Sequence, residues 1–429
     1  MARSSFAVAI GAAAVAGAAL FVNLPSQPQE TKLTQADLDM LLDPRLIAQG
    51  QCGRGGRERA SFFKPSFQLA LASAARAATT AQDKAPLWPG LGDRTFPVTT
   101  GSAEAQSYFD QGFALLYGFN HWEAIRSFQQ AQRIDPDCAM CYWGEAKARG
   151  PNINAPMDAG EEHPALTAIK RAVALSGDAS AKERGLIEAL ALRYTPDGDV
   201  SRAEIDKRYA EAMAALHERY PDDQDISVFY AEAQMDLSPW NYWERDYRTP
   251  QPHIGGAIEA VEQVLASNPN HAGAIHLHIH LMEASTVPER AEEGAERLAG
   301  LMPGAGHLVH MPGHIFFRVG RYLDSLETNM RAVAVDEDYL AKTQGSDIYR
   351  YGYYPHNVHF VLVSAQMAGD AEGAVSQFRV ALVRHPNNAW SLYGLMKAQE
   401  AAGEATASYR AELLRKAAFD PGAITRDSL

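Results

Sequence analysis

The chain has 429 residues, 46% of them hydrophobic and 21% charged, with a net charge of −13. That balance describes a folded protein, either two or three domains or one long repeat array, and argues against a disordered chain. The acidic surplus, with no Lys/Arg cluster, argues against a nucleic-acid partner, which needs a basic surface to displace counterions.

Residues 1–28 read as a signal peptide or N-terminal anchor. Arg3 precedes an uncharged apolar run from Phe6 to Val22, and Pro25 and polar residues follow. The run is long for a cleaved signal core and at the lower limit of a membrane span. Small residues from Ala16 to Ala19 favour export with cleavage over a permanent anchor, so the chain is expected in the periplasm or tethered facing it. Residues 29–101 are expected as an extension and linker: an amphipathic piece (Gln35 to Ile47), a Gly/Arg turn (Gly53 to Gly56), an Ala-rich helix (Phe67 to Ala77) and a Pro/Gly-rich linker (Pro86 to Pro97). The three cysteines are Cys52, Cys138 and Cys141. The last two form C-x-x-C with no histidine after it, so haem attachment is not indicated. A tight local disulfide in an oxidising compartment, or two half-buried thiols, is the expectation.

From Ser102 onward the pattern is helical. In the unit from Ala105 to Cys138, Gly112, Ala124, Phe128, Ala131 and Pro136 alternate small, aromatic and helix-ending residues. Small residues let two helices of a hairpin approach, the aromatic fills the gap, and proline ends the second helix. Later units end at Pro269, at Pro303, near Glu337 (without proline) and at Pro386, and two degenerate units cover His163 to Tyr194 and Ala203 to Pro221. The spacing is 34 residues, and on these residues the chain resembles the tetratricopeptide repeat superfamily over roughly three-quarters of its length. The resemblance implies an all-α fold over residues 102–429: a right-handed α-solenoid of helix-turn-helix hairpins. Three insertions interrupt the period: Gly150 to Met157, Ser238 to Gly256 with its Trp, Tyr and Pro residues, and Gln344 to Tyr354 with four tyrosines. Aromatic insertions suit the walls of a pocket.

Eight of the 14 histidines lie between His276 and His359. His276 to His310 is one repeat, and so is His280 to His314. Spacings of three and four residues put the side chains of a segment on one helix face. The resemblance implies that His276, His280, His307, His310, His314, His356 and His359, with Glu283 and Glu232, line the concave groove. Imidazoles from adjacent helices can then converge on an ion at about 2.0–2.1 Å from each nitrogen. These seven are the expected metal ligands, for Cu, Zn, Ni or Fe, and one complete site or two neighbouring ones are open. Glu283 and Glu232 are the candidate general bases or further ligands. Trp240, Trp243, Arg350, Tyr351 and Tyr353 are the candidate substrate-binding walls. His278 falls at a helix-packing position, and His271 and His385 at inter-repeat turns. Pro312 and Gly313 break the helical rule inside the second histidine segment, and a helix starting at Pro312 would leave His307 and His310 before it.

Two functional readings follow. One is an exported repeat metalloprotein, with hydrolytic or oxidative metal chemistry on a small molecule or peptide in the groove. The other is a periplasmic adaptor that holds a partner segment in the same groove, as the resemblance implies.

Overall fold

Short polar side chains set the helix starts. Ser102, Asn120, Asp158, Ser180, Ser201 and Asp223 each accept a hydrogen bond from a backbone N–H in the turn that follows, satisfying donors that a helix terminus leaves open. They open α1 (Ala103–Tyr117), α2 (His121–Ile134), α4 (Ala159–Leu175), α5 (Ala181–Ala191), α6 (Arg202–Arg219) and α7 (Gln224–Met235). The remaining helices are α3 (Ala139–Ala148), α8 (Ile254–Ser267), α9 (Ala272–Met282), α10 (Glu292–Leu301), α11 (Gly306–His310), α12 (Pro312–Arg318), α13 (Tyr322–Lys342) and α14 (Tyr354–Ala368). The computed structural model describes residues 84–194, 200–343 and 348–370, and separate positions from 372 to 403. Among these residues there is no β-strand, only two isolated bridges.

Each helix packs on its neighbour in sequence, and α1 also meets α3, α3 meets α5, α7 meets α9, and α9 meets α12. This stacking of hairpins is a TPR-like α-solenoid, all-α, with loop insertions. Packing follows the small-residue pattern. A Cβ on Gly112 would stand 2.8 Å from the Phe128 ring, so glycine is what lets α1 and α2 close on that buried phenylalanine. Prolines end the second helices: α2, α6, α8 and α10 stop two residues before Pro136, Pro221, Pro269 and Pro303. Where the proline is missing, at Glu337, α13 runs on to Lys342.

Residues 84–100 differ from the expected linker. Their prolines prevent a helix, but the strand of chain is packed into the core. Phe96 is buried against Phe109 and Phe113, and Arg94 pairs with Asp225 at 2.7 Å. The expected features before residue 84, including the targeting segment, and most of the late unit around Pro386 lie outside the described residues. No described helix is long and apolar enough to cross a membrane. Cys138 and Cys141 are joined in a disulfide.

The first helix also reaches the histidine segment, because α1 packs on α9. The Gly304 N–H donates to the Gly90 carbonyl at 2.7 Å, and the Tyr339 hydroxyl to Glu123 at 3.2 Å. The hollow expected as an open groove is therefore closed over by α1 and the segment before it, and the histidines on it are buried.

Candidate metal centre

α9 carries His276 and His280 four residues apart, on one face. α11 is a single short helical segment carrying His307 and His310. The helix is interrupted at Met311, and Pro312 opens α12, a position where its missing N–H costs nothing. His314 lies on α12 and His356 in the first turn of α14. These elements bring the rings into two triads: His276, His280 and His307, and His310, His314 and His356. Within each triad, one nitrogen from every ring lies within 4.8 Å of the others. The triads adjoin, with the His307 and His310 ring centroids 6.1 Å apart.

The Nε2 atoms face inward. His276 and His280 Nε2 are 2.9 Å apart, His310 and His314 Nε2 2.8 Å, and His356 Nε2 is 3.0 and 3.4 Å from those two. The Nδ1 atoms face outward onto acceptors. His276 Nδ1–H donates to the Tyr117 carbonyl at 2.8 Å. Glu283 receives two rings: His280 Nδ1 at 3.1 Å on one oxygen and His314 Nδ1 at 2.8 Å on the other. Its carboxylate thus ties the triads together. His310 Nδ1–H donates to Asn329 Oδ1 at 2.5 Å, and Asn329 is turned that way because its Nδ2 donates to the Ser325 carbonyl at 2.7 Å. Gly313 leaves room for that asparagine, since a Cβ there would collide with its Nδ2.

Carbonyl and carboxylate oxygens only accept, so on these four rings Nδ1 holds the proton and Nε2 a bare lone pair. Burial pushes the His276, His280 and His314 rings down to about 3, and holds His307, His310 and His356 well below the usual range. Neutral rings therefore point lone pairs at each other with no proton between them. Neither nitrogen of His307 has a hydrogen-bond partner among the described residues, although the ring is only 4% exposed. Nitrogens about 2.0–2.1 Å from one ion stand roughly 3 Å from each other, so a cation fits where these lone pairs meet. Outward Nδ1–H bonds to carbonyl and carboxylate are the outer shell that metal-bound imidazoles carry.

Aromatic rings wall the triads. Phe119 lies 4.4 Å from the His276 ring, and Trp240 meets His280 edge-on at 4.9 Å. Both have positive φ, +54° and +63°, a conformation that costs a bulky residue about 1–3 kcal/mol and persists where surrounding structure enforces it. Tyr353 packs 4.5 Å from His307 and accepts from Asn154 Nδ2 at 3.1 Å. Phe360 packs 4.5 Å from His314. Each of the three insertions thus contributes a residue: Asn154, Trp240 and Tyr353.

The other candidates stand elsewhere. His359 is part-buried on α14, outside both triads. Glu232 does not reach them: it is buried in an ion pair with Lys147 at 2.7 Å. Glu283 is engaged through both oxygens, which leaves none free to act as a general base. Trp243 is buried behind α9, its indole N–H donating to the Leu281 carbonyl at 2.7 Å. Arg350 lies in the π-helical turn Tyr349–Tyr353, part-buried, and the Tyr351 side chain lies outside the described residues. His278 is 3.2 Å from Glu262, and His271 caps α9. Tyr117, Phe119, Asn329 and Phe360 were not singled out by the sequence. Their roles rest on contacts from distant helices.

No family model matches the chain, and neither does any curated protein. Solved structures similar to it include the human IFIT1 dimer with PPP-AAAA, at 14% identity over 73% of each chain and a TM-score of 0.34. The human IFIT1 dimer with m7Gppp-AAAA is 12% identical over 81% of this chain and 72% of that one, with a TM-score of 0.36. Yeast Tom70 is 10% identical over 74% of this chain and 77% of that one, with a TM-score of 0.26. Likeness at these scores carries no argument about function.

Proposed function

We propose that this chain is an exported, TPR-like metalloprotein that binds two transition-metal ions, one per imidazole triad, and uses them in oxidative chemistry on a small organic substrate. The observation that carries the reading is the inward convergence of the Nε2 atoms of His276, His280, His310, His314 and His356, four of them with Nδ1 held by Tyr117, Glu283 or Asn329, and with His307 completing the first triad. Imidazole suits Zn, Cu, Ni and Fe. Neither triad includes a carboxylate, which disfavours the two-histidine, one-carboxylate iron arrangement. Copper binds such nitrogen sites most tightly of these ions.

A copper pair supplies one-electron redox steps and oxygen chemistry, whereas zinc in the same triads would supply a hydroxide for hydrolysis. The surroundings favour the first. A hydrolytic site would gain from a free carboxylate beside the ions, and Glu283 and Glu232 are both engaged. Phe119, Trp240, Tyr353 and Phe360 instead pack on the imidazoles and shield them from water. The adaptor reading needs an accessible groove, while five of the six triad histidines are at most 4% exposed. The disulfide supports an oxidising compartment, as does the apolar run of the first 28 residues.

Loading the purified protein with Cu(I), Cu(II) or Zn(II) and measuring retained metal tests the reading. Two coppers per chain are expected, with neither retained when His276, His280, His310 and His314 are all changed to alanine. Stoichiometric zinc that copper fails to displace would overturn the oxidative assignment.

A further inference from the structure

One row of oxidisable rings leads from the first triad to the far side of α13. Tyr353 packs on His307 at 4.5 Å, Tyr349 on Tyr353 at 5.7 Å, Tyr339 on Tyr349 at 4.7 Å, and Trp88 on Tyr339 at 5.6 Å, all between ring centroids. No phenylalanine interrupts the row, unlike the Phe96, Phe109, Phe113 and Phe128 cluster beside it. The two inner phenols also have bases. The Tyr349 hydroxyl donates to Asp336 at 2.8 Å and the Tyr339 hydroxyl to Glu123 at 3.2 Å. A phenol that loses an electron becomes a strong acid, so a hydrogen-bonded carboxylate lets its oxidised form persist. At the outer end, Trp88, Tyr339 and Tyr349 line a cavity of about 420 Å³ whose rim carries the exposed Asp338 and Lys342. The chain segment holding Trp88 there is the one that departs from the repeat.

We infer that Tyr353, Tyr349, Tyr339 and Trp88 form an electron path between the metal triads and a small organic reductant at the outer cavity. The inference rests on the metal reading above. One electron leaves Tyr353 for the oxidised metal centre. The Tyr353 ring keeps its phenol proton as a short-lived radical cation until Tyr349 refills it, and Tyr339 and Trp88 then pass one electron on in turn. Above about pH 7, where Asp336 is ionised, the Tyr349 proton crosses to Asp336 as its electron leaves and returns on refilling, and Tyr339 exchanges its proton with Glu123 in the same way. Trp88 is left one electron short as a radical cation, and a one-electron organic reductant such as ascorbate restores it. The net change is one electron from reductant to metal.

Peptide mapping by mass spectrometry tests the path. The copper-loaded protein is treated with hydrogen peroxide without reductant, beside metal-free protein and the Tyr349→Phe and Tyr339→Phe variants, each checked for copper content and thermal midpoint. Phenylalanine keeps the packing and removes the redox step. Oxidised Trp88 is expected in the loaded wild type and suppressed by ascorbate. In both variants it should fall to the metal-free background, with oxidation collecting at Tyr353 instead. Trp88 unmodified while two coppers are bound, or modified equally in Tyr349→Phe or in metal-free protein, overturns the path alone. A wild type that binds no copper overturns both readings.

Discussion

Glu283 is the residue on which both triads depend. Each carboxylate oxygen fixes one imidazole, His280 in the first triad and His314 in the second. Outer-shell partners of this kind are worth roughly 10–100-fold in metal affinity. Glu283→Ala is therefore expected to weaken both ions by about that factor in a competition titration, and weakening of one ion alone would refute the shared role. Asp336 offers a separate test by pH. Burial pushes its carboxyl group from 3.8 up to about 7. Between these values the folded protein holds a proton that the unfolded chain has released, so this group's contribution falls as pH rises from about 4 to about 7 and is constant above. Asp336→Asn lacks that loss. In urea titrations its stability relative to wild type should climb through the window, and a pH-independent difference would contradict the assignment.

At the scale of elements, the close approach of α1 to α2 rests on Gly112 beneath Phe128. Gly112→Ala should overpack the pair and cost about 1–3 kcal/mol, read by denaturant unfolding, and Phe128→Leu in the same chain should recover part of it. A neutral Gly112→Ala would show that the hairpin has slack. The Cys138–Cys141 bridge closes a very short loop, so its loss in Cys138→Ser should cost only about 2 kcal/mol on the chain-entropy relation. These elements were legible. Small residues, prolines and the 34-residue offset locate the hairpins, and the same offset brings the His276/His280 and His310/His314 segments next to each other, though in separate triads. What stayed hidden has a physical cause. Glu283 sits three residues from His280, but nothing local says that its second oxygen meets His314. Glu232 has the groove register, yet Lys147, 85 residues away, claims it. Pro312 marked a break correctly, but not that His307 and His310 would share a helical segment of their own.

At the scale of the whole described molecule, the main departure from an open repeat array is closure. The segment before α1 was read as a linker because its prolines forbid a helix, and proline content does not reveal that Phe96, Arg94 and Gly90 find partners in the core, on α7 and beside α10. With α1 on α9, the histidine wall becomes an interior, which depresses the imidazoles and shields them from bulk solvent. Burial is thus what turns a row of histidines into two clusters of neutral rings.

The central claim is most directly tested by elemental analysis of the metal-loaded wild type, His280→Ala and His314→Ala. Two ions per chain in the wild type and a loss in each variant are predicted, since each substitution opens a different triad. A wild type without bound metal, or variants that retain its full content, would contradict it.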